Sequence, residues 1–280
     1  MLNDKCKMIN DNRSGFTLIE VLVTLAIIGF IGSVAGTVYH KTYRDEMGYE
    51  ATVEVMDTLK KAILGSNIPH NRGVHISGYV ADMGALPPLN EDNQPMALWK
   101  KTSALVIKSR YYGEQRIRTG WNGPYIQKPD SGFLTDGWGN GLSFTCNKDG
   151  GLTIKSYGAD MRPGGVDLDE DITLEIEKYH YMAPLGLCFR GLKGDLSNSE
   201  LTINYPDPVT GALKSEELEI DGVDVGKLGF GHFVSDDKNK PLFPIGLRSI
   251  TAKIKHRSEE EEKVIVFPIQ PGMNYMGTID

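Results

Sequence analysis

The sequence predicts an α+β fold in three parts: a long N-terminal α-helix packed on a small antiparallel β head, followed by a C-terminal all-β sandwich. Three observations carry that prediction. Residues 16–39 read FTLIEVLVTLAIIGFIGSVAGTVY, apolar but for one acid, and proline is absent from Phe16 until Pro69. Short alternating segments separated by Gly, Pro, Asn and Asp clusters then follow to about residue 172. From about residue 185 onward the chain carries strand-length runs, alternating or β-branched, and no stretch that needs a helix.

The apolar run is long enough for a helix to cross a bilayer core of about 30 Å. A secretory signal peptide has a short apolar stretch with a small-residue cleavage site after it, whereas here a polar leader precedes a run of spanning length. That leader sets Lys5, Lys7 and Arg13 against Asp4 and Asp11, and a positive flank stays cytoplasmic, so the chain beyond Tyr39 belongs outside the cytoplasm. Glu20 is the exception within the run. A charge at that depth costs about 2.5–3.5 kcal/mol on insertion scales, so Glu20 requires a partner. Gly29, Gly32 and Gly36 each cost about 1 kcal/mol of helix propensity, which reads either as close helix packing or as the ordinary glycine content of membrane helices. Past Tyr39 the residues Tyr43, Met47, Ala51, Val55, Leu59 and Ile63 recur at helical spacing, which predicts one continuous helix to about Leu64, stopped by Gly65 and Pro69.

Residues 66–150 read as loops with short strands, punctuated by GALPP at 84–88, WNGPY at 121–125 and DGWGNG at 136–141. Leu142–Cys146 and Leu152–Ser156 alternate on either side of Asn147-Lys148-Asp149-Gly150-Gly151, a hairpin signal. In the C-terminal part the strand candidates are Leu185–Gly191, Glu200–Tyr205, Glu217–Asp221, Gly229–Ser235, Arg248–His256 and Lys263–Ile269. Their number and spacing suggest an antiparallel sandwich. The acids Glu259–Glu262 then fall at a solvated hairpin tip, since like charges paired in a sheet repel.

The junction Arg13-Ser14-Gly15-Phe16-Thr17-Leu18-Ile19-Glu20 resembles the class III signal of type IV pilins and pseudopilins. The resemblance implies that prepilin peptidase cuts after Gly15 and methylates the new amino terminus at Phe16. It also implies that Glu20 neutralises the amino terminus of a neighbouring subunit during filament assembly. Further along, GYVADMGALPP at 78–88, GWNGPYIQ at 120–127, DGWGNG at 136–141 and SYGAD at 156–160 look, in order and spacing, like the head of the major pseudopilin of type II secretion. The likeness covers residues 13–172, with Gly137 and Gly141 standing where that family usually has prolines. It implies a pilin-like fold divided into a leader at 1–15, a transmembrane and assembly helix at 16–64 and a head at 65–173. A β-domain at 184–280 follows, its strand order loosely similar to immunoglobulin-like modules. The implied partners are copies of the chain itself, the peptidase, an inner-membrane platform with its assembly ATPase, and minor pseudopilins. The implied location is the bacterial inner membrane, with the head in the periplasm, and then a periplasmic pseudopilus or surface filament.

The segment from Tyr157 to Asp171 sets Asp160, Asp167, Asp169 and Asp171 on a Gly- and Pro-rich loop. Such a loop can wrap Ca²⁺, which takes six to eight oxygens from carboxylates and carbonyls. The family likeness points to a structural calcium held by Asp160, the carbonyl of Tyr157 and some of Asp167, Asp169 and Asp171. The alternative is a solvated acidic turn. Cys146 and Cys188 form a candidate disulfide pair in an oxidising compartment, or else two small buried hydrophobes.

A net charge of −7 and the lack of a basic stripe argue against a nucleic-acid partner. No nucleophile elbow is present, GKLGFG at 226–231 lacks phosphate-loop spacing, and His180, His232 and His256 each stand alone. The expectation is therefore a structural filament subunit of a type II secretion-like system, not an enzyme. The competing reading is a minor type IV pilin whose C-terminal β-domain is an adhesin or cargo-binding module.

Overall fold

The computed structural model describes residues 17–70, 73–109, 113–190, 200–218, 230–234, 242–256, 259–272 and 274–279; Gly15 and Phe16 lie outside them. Helix α1 (Leu18–Leu64) is continuous over 47 residues, about 70 Å at ~1.5 Å per residue. It runs through both compact units of the chain, residues 1–47 and residues 48–280. Within the first unit, Leu18–Ala35 is long and apolar enough to cross a membrane, and none of it is buried inside the protein. Tyr39 and Tyr43 stack with ring centroids 6.5 Å apart. Gly65, at φ +93°, ends α1 as a left-handed cap whose N–H donates to the Lys61 carbonyl at 2.8 Å.

In the second unit α1 buries Gly48, Thr52, Met56, Leu59, Ala62 and Ile63. This stripe differs from the expected one, because Tyr43 and Met47 are exposed and Ala51 and Val55 only half-buried. Hydrophobic periodicity alone missed it for a physical reason. Thr52 scores as polar, yet its hydroxyl donates to the Gly48 carbonyl at 2.7 Å and accepts the Gly137 N–H at 2.9 Å, so it is fully buried without loss.

A hairpin of β1 (Ser66–His70) and β2 (Gly73–Ser77) follows, within the stretch expected to hold loops with short strands. Pro69, expected only as a helix stop, lies in β1 opposite Val74. In a two-stranded sheet each strand has a free edge on which a missing N–H is tolerated. Helix α2 (Tyr79–Met83) is buried at every residue and stops at Gly84, φ +77°. The expected hairpin is present as β3 (Ser143–Cys146) and β4 (Leu152–Ser156), and β5 (Ile172–Ile176) extends it to an antiparallel sheet ordered β3-β4-β5. The core beneath joins Met56, Leu59 and Ile63 of α1 to Tyr79, Val80 and Met83, to Leu98, and to Phe144, Ile154 and Ile176 of the sheet. Each such aliphatic side chain contributes about 1.5–3 kcal/mol when fully buried.

The chain continues through α3 (Lys178–Tyr181), β6 (Met182–Ala183), β7 (Leu185–Arg190), β8 (Glu200–Pro206) and β9 (Leu213–Glu217). It ends with β10 (Phe230–Val234), β11 (Phe243–Pro244), β12 (Gly246–His256), β13 (Glu259–Ile269) and β14 (Asn274–Ile279). The sheets are β13-β12-β8-β9, β10-β7-β14 and β11-β6. All pairings are antiparallel except β14 with β7, which departs from the all-antiparallel expectation. Strand β9 shares only Glu217 with the expected strand at Glu217–Asp221, its ladder with β8 running from Leu213 opposite Pro206 to Glu217 opposite Thr202, and residues 219–221 of that expectation lie outside the described residues. Glu259–Glu262 is not a hairpin tip. These acids form the start of β13, and the register sets Glu262 opposite Lys253 and Glu260 opposite Lys255, which removes the like-charge objection. A second core gathers Leu185, Leu201, Ile203, Phe243, Ile250, Phe267 and Ile269.

The DGWGNG turn is docked on α1 by two glycines. A Cβ on Gly137 would stand 2.2 Å from the Gly48 carbonyl oxygen, and a Cβ on Gly48 would stand 2.2 Å from the Trp138 indole nitrogen. Gly141 has nothing within 4 Å of its Cβ position. Gly137→Ala is therefore expected to destabilise the full-length protein by about 1–3 kcal/mol through forced backbone displacement, while Gly141→Ala changes stability by less than about 0.5 kcal/mol. Thermal unfolding in detergent measures both, and equal effects of the two substitutions would remove the docking role.

Candidate processing, assembly and metal sites

The start of α1 is closed by its own side chains. Thr17 donates to Glu20 Oε2 from both its backbone N–H and its hydroxyl, each at 2.9 Å, and the Glu20 N–H donates to Thr17 Oγ1 at 3.3 Å. This is a reciprocal capping box over Thr17-Leu18-Ile19-Glu20, satisfying two N–H groups that a helix start leaves unpaired. Sequence reasoning assigned Glu20 a partner in another subunit and overlooked Thr17, although the T-x-x-E spacing announced the cap. The carboxylate is held on Thr17, and the Glu20 side chain is exposed.

Two of the motifs, at 78–88 and 120–127, converge around Asp82. Tyr79 and Tyr125 meet edge to face at 5.5 Å, Trp121 meets Tyr125 at 6.2 Å, and the Tyr125 hydroxyl donates to Asp82 Oδ2 at 3.0 Å. Lys108 donates to the other oxygen of Asp82, and the Gly120 N–H reaches the Asp82 carbonyl at 3.0 Å. Burial, reinforced by the charge of Asp82, raises the Tyr125 phenol well above its ordinary value. Neither Asp82 nor Lys108 was singled out by sequence, since each is an isolated charge whose partner lies far along the chain.

The DGWGNG turn and the acidic loop share an anchor in Asp136. Its Oδ1 accepts the N–H groups of Trp138 at 3.0 Å and Asn140 at 2.8 Å, and its Oδ2 accepts the Ser156 hydroxyl at 2.6 Å. The loop leaves β4 at Ser156 and returns to β5 at Ile172, which pairs with Ser156. Gly158 and Gly165, both at positive φ, lie against the Asp169 carbonyl, where a Cβ would stand 2.7 Å and 2.2 Å from its oxygen. The Ala159 N–H donates to the Leu168 carbonyl at 3.0 Å.

The aspartates of this loop have separate surroundings. Asp160 Oδ1 accepts the Arg162 N–H at 2.9 Å, Asp167 and Asp169 bound a short 3₁₀ turn, and Asp171 Oδ2 pairs with Lys155 at 3.3 Å. Asp171 precedes a strand and so caps no helix. Its Oδ1 is buried without a hydrogen-bond partner. The donor chemistry is hard oxygen throughout, as calcium prefers. Among the described residues, however, no three His, Cys, Asp or Glu side chains form a group that could hold a metal. Cys146 is a free, exposed cysteine on β3, and Cys188 is on β7 of a different sheet, its side chain outside the described residues. His180 Nδ1 accepts the Glu177 N–H at 3.0 Å, a local capping role.

Residues 10–36 match the prokaryotic N-terminal methylation motif, a span that contains Gly15, Phe16, Thr17 and Glu20. Residues 79–175 match the type II secretion system (T2SS) protein G family, and contain Asp82, Asp136 and the acidic loop. No curated protein and no solved structure matches the chain. A methylation motif on the apolar helix and a protein G segment behind it support membership of the pseudopilin and type IV pilin superfamily.

Proposed function

We propose that this chain is a structural subunit of a type II secretion-like pseudopilus, cleaved and N-methylated by prepilin peptidase and polymerised through α1 to drive protein export. The observation that carries this reading is an apolar, wholly unburied helix of spanning length whose first turn holds a carboxylate, inside the span that matches the methylation motif. Hydrocarbon or other helices must cover that surface. Gly15 and Phe16 flank the cut, and Glu20 pairs with the methylated amino terminus of a neighbour. That exchange releases Glu20 from Thr17.

Before assembly the subunit sits in the inner membrane with residues beyond α1's apolar half in the periplasm. A platform protein and a cytoplasmic ATPase extract it into a filament shared with minor pseudopilins. In this reading residues 65–173 form the pseudopilin head and 184–280 a sandwich-like β-domain. Calcium is held in the head by Asp160, the Tyr157 carbonyl and members of Asp167, Asp169 and Asp171. The orphaned Asp171 oxygen and the two glycines at the Asp169 carbonyl support that reading. A second reading, a minor pilin with a binding module, is favoured by the extent of chain beyond residue 175, where the protein G match stops. Copy number separates the two, since a major subunit is abundant and a tip protein scarce.

Intact mass tests the processing. In cells with active prepilin peptidase the mature chain is expected to begin at methylated Phe16, and Gly15→Val to retain Met1–Gly15; a wild-type mass that includes the leader overturns it. Glu20→Ala is expected to be cleaved normally yet to lose most filament yield, because an unpaired amine is then buried among helices; undiminished yield removes the role of Glu20. A ligand bound only to the folded state adds about 2.7 kcal/mol at a hundredfold excess over Kd. Chelation should therefore lower the melting temperature of the full-length protein, Asp160→Ala should abolish the difference, and magnesium should restore little. Identical melting curves with chelator and with about 1 mM Ca²⁺ would return the loop to a solvated turn.

A further inference from the structure

Arg248 is the largest fully buried side chain described, 1% exposed, and it is not absorbed by processing, assembly or the acidic loop. It stands on β12, outside the segment matched to protein G, and among the described residues no carboxylate oxygen hydrogen-bonds or ion-pairs with its guanidinium. Its donors go to carbonyls instead. Nε reaches the Pro244 oxygen at 3.0 Å, Nη1 the Leu247 oxygen at 2.9 Å and the Ala81 oxygen at 3.0 Å, and Nη2 the Ile245 oxygen. Three acceptors belong to its own segment and the fourth to α2, inside the matched segment. Burial lowers the guanidinium to about 9, and the charge of neighbouring Asp82 opposes that shift, so Arg248 remains a cation at neutral pH.

The same seam is tight on both sides of this contact. Gly246, at φ +120°, would place a Cβ 2.8 Å from Ala81 Cα, and Gly84, at φ +77°, would place one 2.5 Å from the Pro206 oxygen. Gly211, at φ +73°, would place one 2.5 Å from Met83 Cε. Ile245 belongs to the core of α1 and the head sheet, not to the second core, and the Val106 N–H donates to the Thr210 carbonyl at 2.9 Å. The buried Asn204, on the central strand β8, donates to Thr251 Oγ1 at 3.0 Å and accepts from Ser215 at 2.7 Å, fixing the register of β8, β9 and β12 behind the seam.

We propose that Arg248 is a latch that joins the C-terminal β-extension to the protein G-like segment as one cooperative body. A planar guanidinium can satisfy carbonyls from two segments at once, which an ammonium on a single stem cannot reproduce. The extension is thereby presented in a fixed orientation and does not swing on a linker. This goes beyond the filament reading and stands whether or not the chain polymerises.

Native-state hydrogen exchange on the full-length protein in detergent, across a denaturant series, is the test. In the wild type, the amides of 79–84, 200–206 and 246–252 are expected to exchange through one shared opening. Both Arg248→Met and Arg248→Lys should speed exchange at least tenfold in 79–84 and 200–206 together. A wild type in which 79–84 opens independently of 200–206 would overturn the proposal, even if the Met variant fails to fold. So would a Lys variant indistinguishable from wild type. Because filament formation is not read out, these outcomes are distinct from failure of the pseudopilus reading.

Discussion

The burial of one stripe of α1, from Gly48 to Ile63, is the contact on which the described structure depends. The same helix is apolar all round in its first half and apolar on one side in its second, so it has two solvents to satisfy. A fully apolar helix belongs in hydrocarbon or among other helices, whereas a one-sided helix needs a core to cover it. Met56, Leu59 and Ile63 provide that core with its floor, and β3, β4, β5 and α2 supply the cover. Any loss along this stripe takes the floor from the core of residues 48–280.

Polar groups then hold the loops to that floor. Asp136 ties the DGWGNG turn to β4, Thr52 ties it to α1, and Asp82 gathers Tyr125 and Lys108. The buried carboxylates of Asp82 and Asp136 are each met by two or more donors, which is the condition under which burying a charge is tolerable. These anchors also explain the glycines. At Gly137 a side chain would meet the backbone of α1, so the proline usual in related heads has no room here.

Much of this was legible in the sequence, and what was not has a common cause. The extent of α1, the β3–β4 hairpin and most C-terminal strands follow from period and punctuation, which are local properties. The hairpin at Ser66–Ser77 was hidden by Pro69, expected only as a helix stop, and strand β5 by its position directly after an acidic loop. The true face of α1 was hidden by Thr52 and Gly48, whose burial depends on Gly137 and Trp138 far along the chain. Arg248 and Asp82 were invisible for the same reason, since their significance comes from Ala81 and Lys108 and not from neighbours in sequence. Around the acidic loop, sequence identified the acids and the glycines but not their arrangement, in which Asp160, Asp169 and Asp171 have different partners. Thr17 is the opposite case, a local capping signal in plain view beside a more conspicuous motif.

The central claim is that α1 serves as the polymerisation element, its apolar half covered by the same half of other copies. Electron cryomicroscopy of filaments formed by the processed, full-length protein tests it most directly. The expected density shows residues 18–35 of successive subunits packed along the filament axis, with Glu20 beside the amino terminus of a neighbour and residues 48–280 outside. Filaments held together by the β-sheet body, with the apolar helices projecting away from the axis, would contradict it.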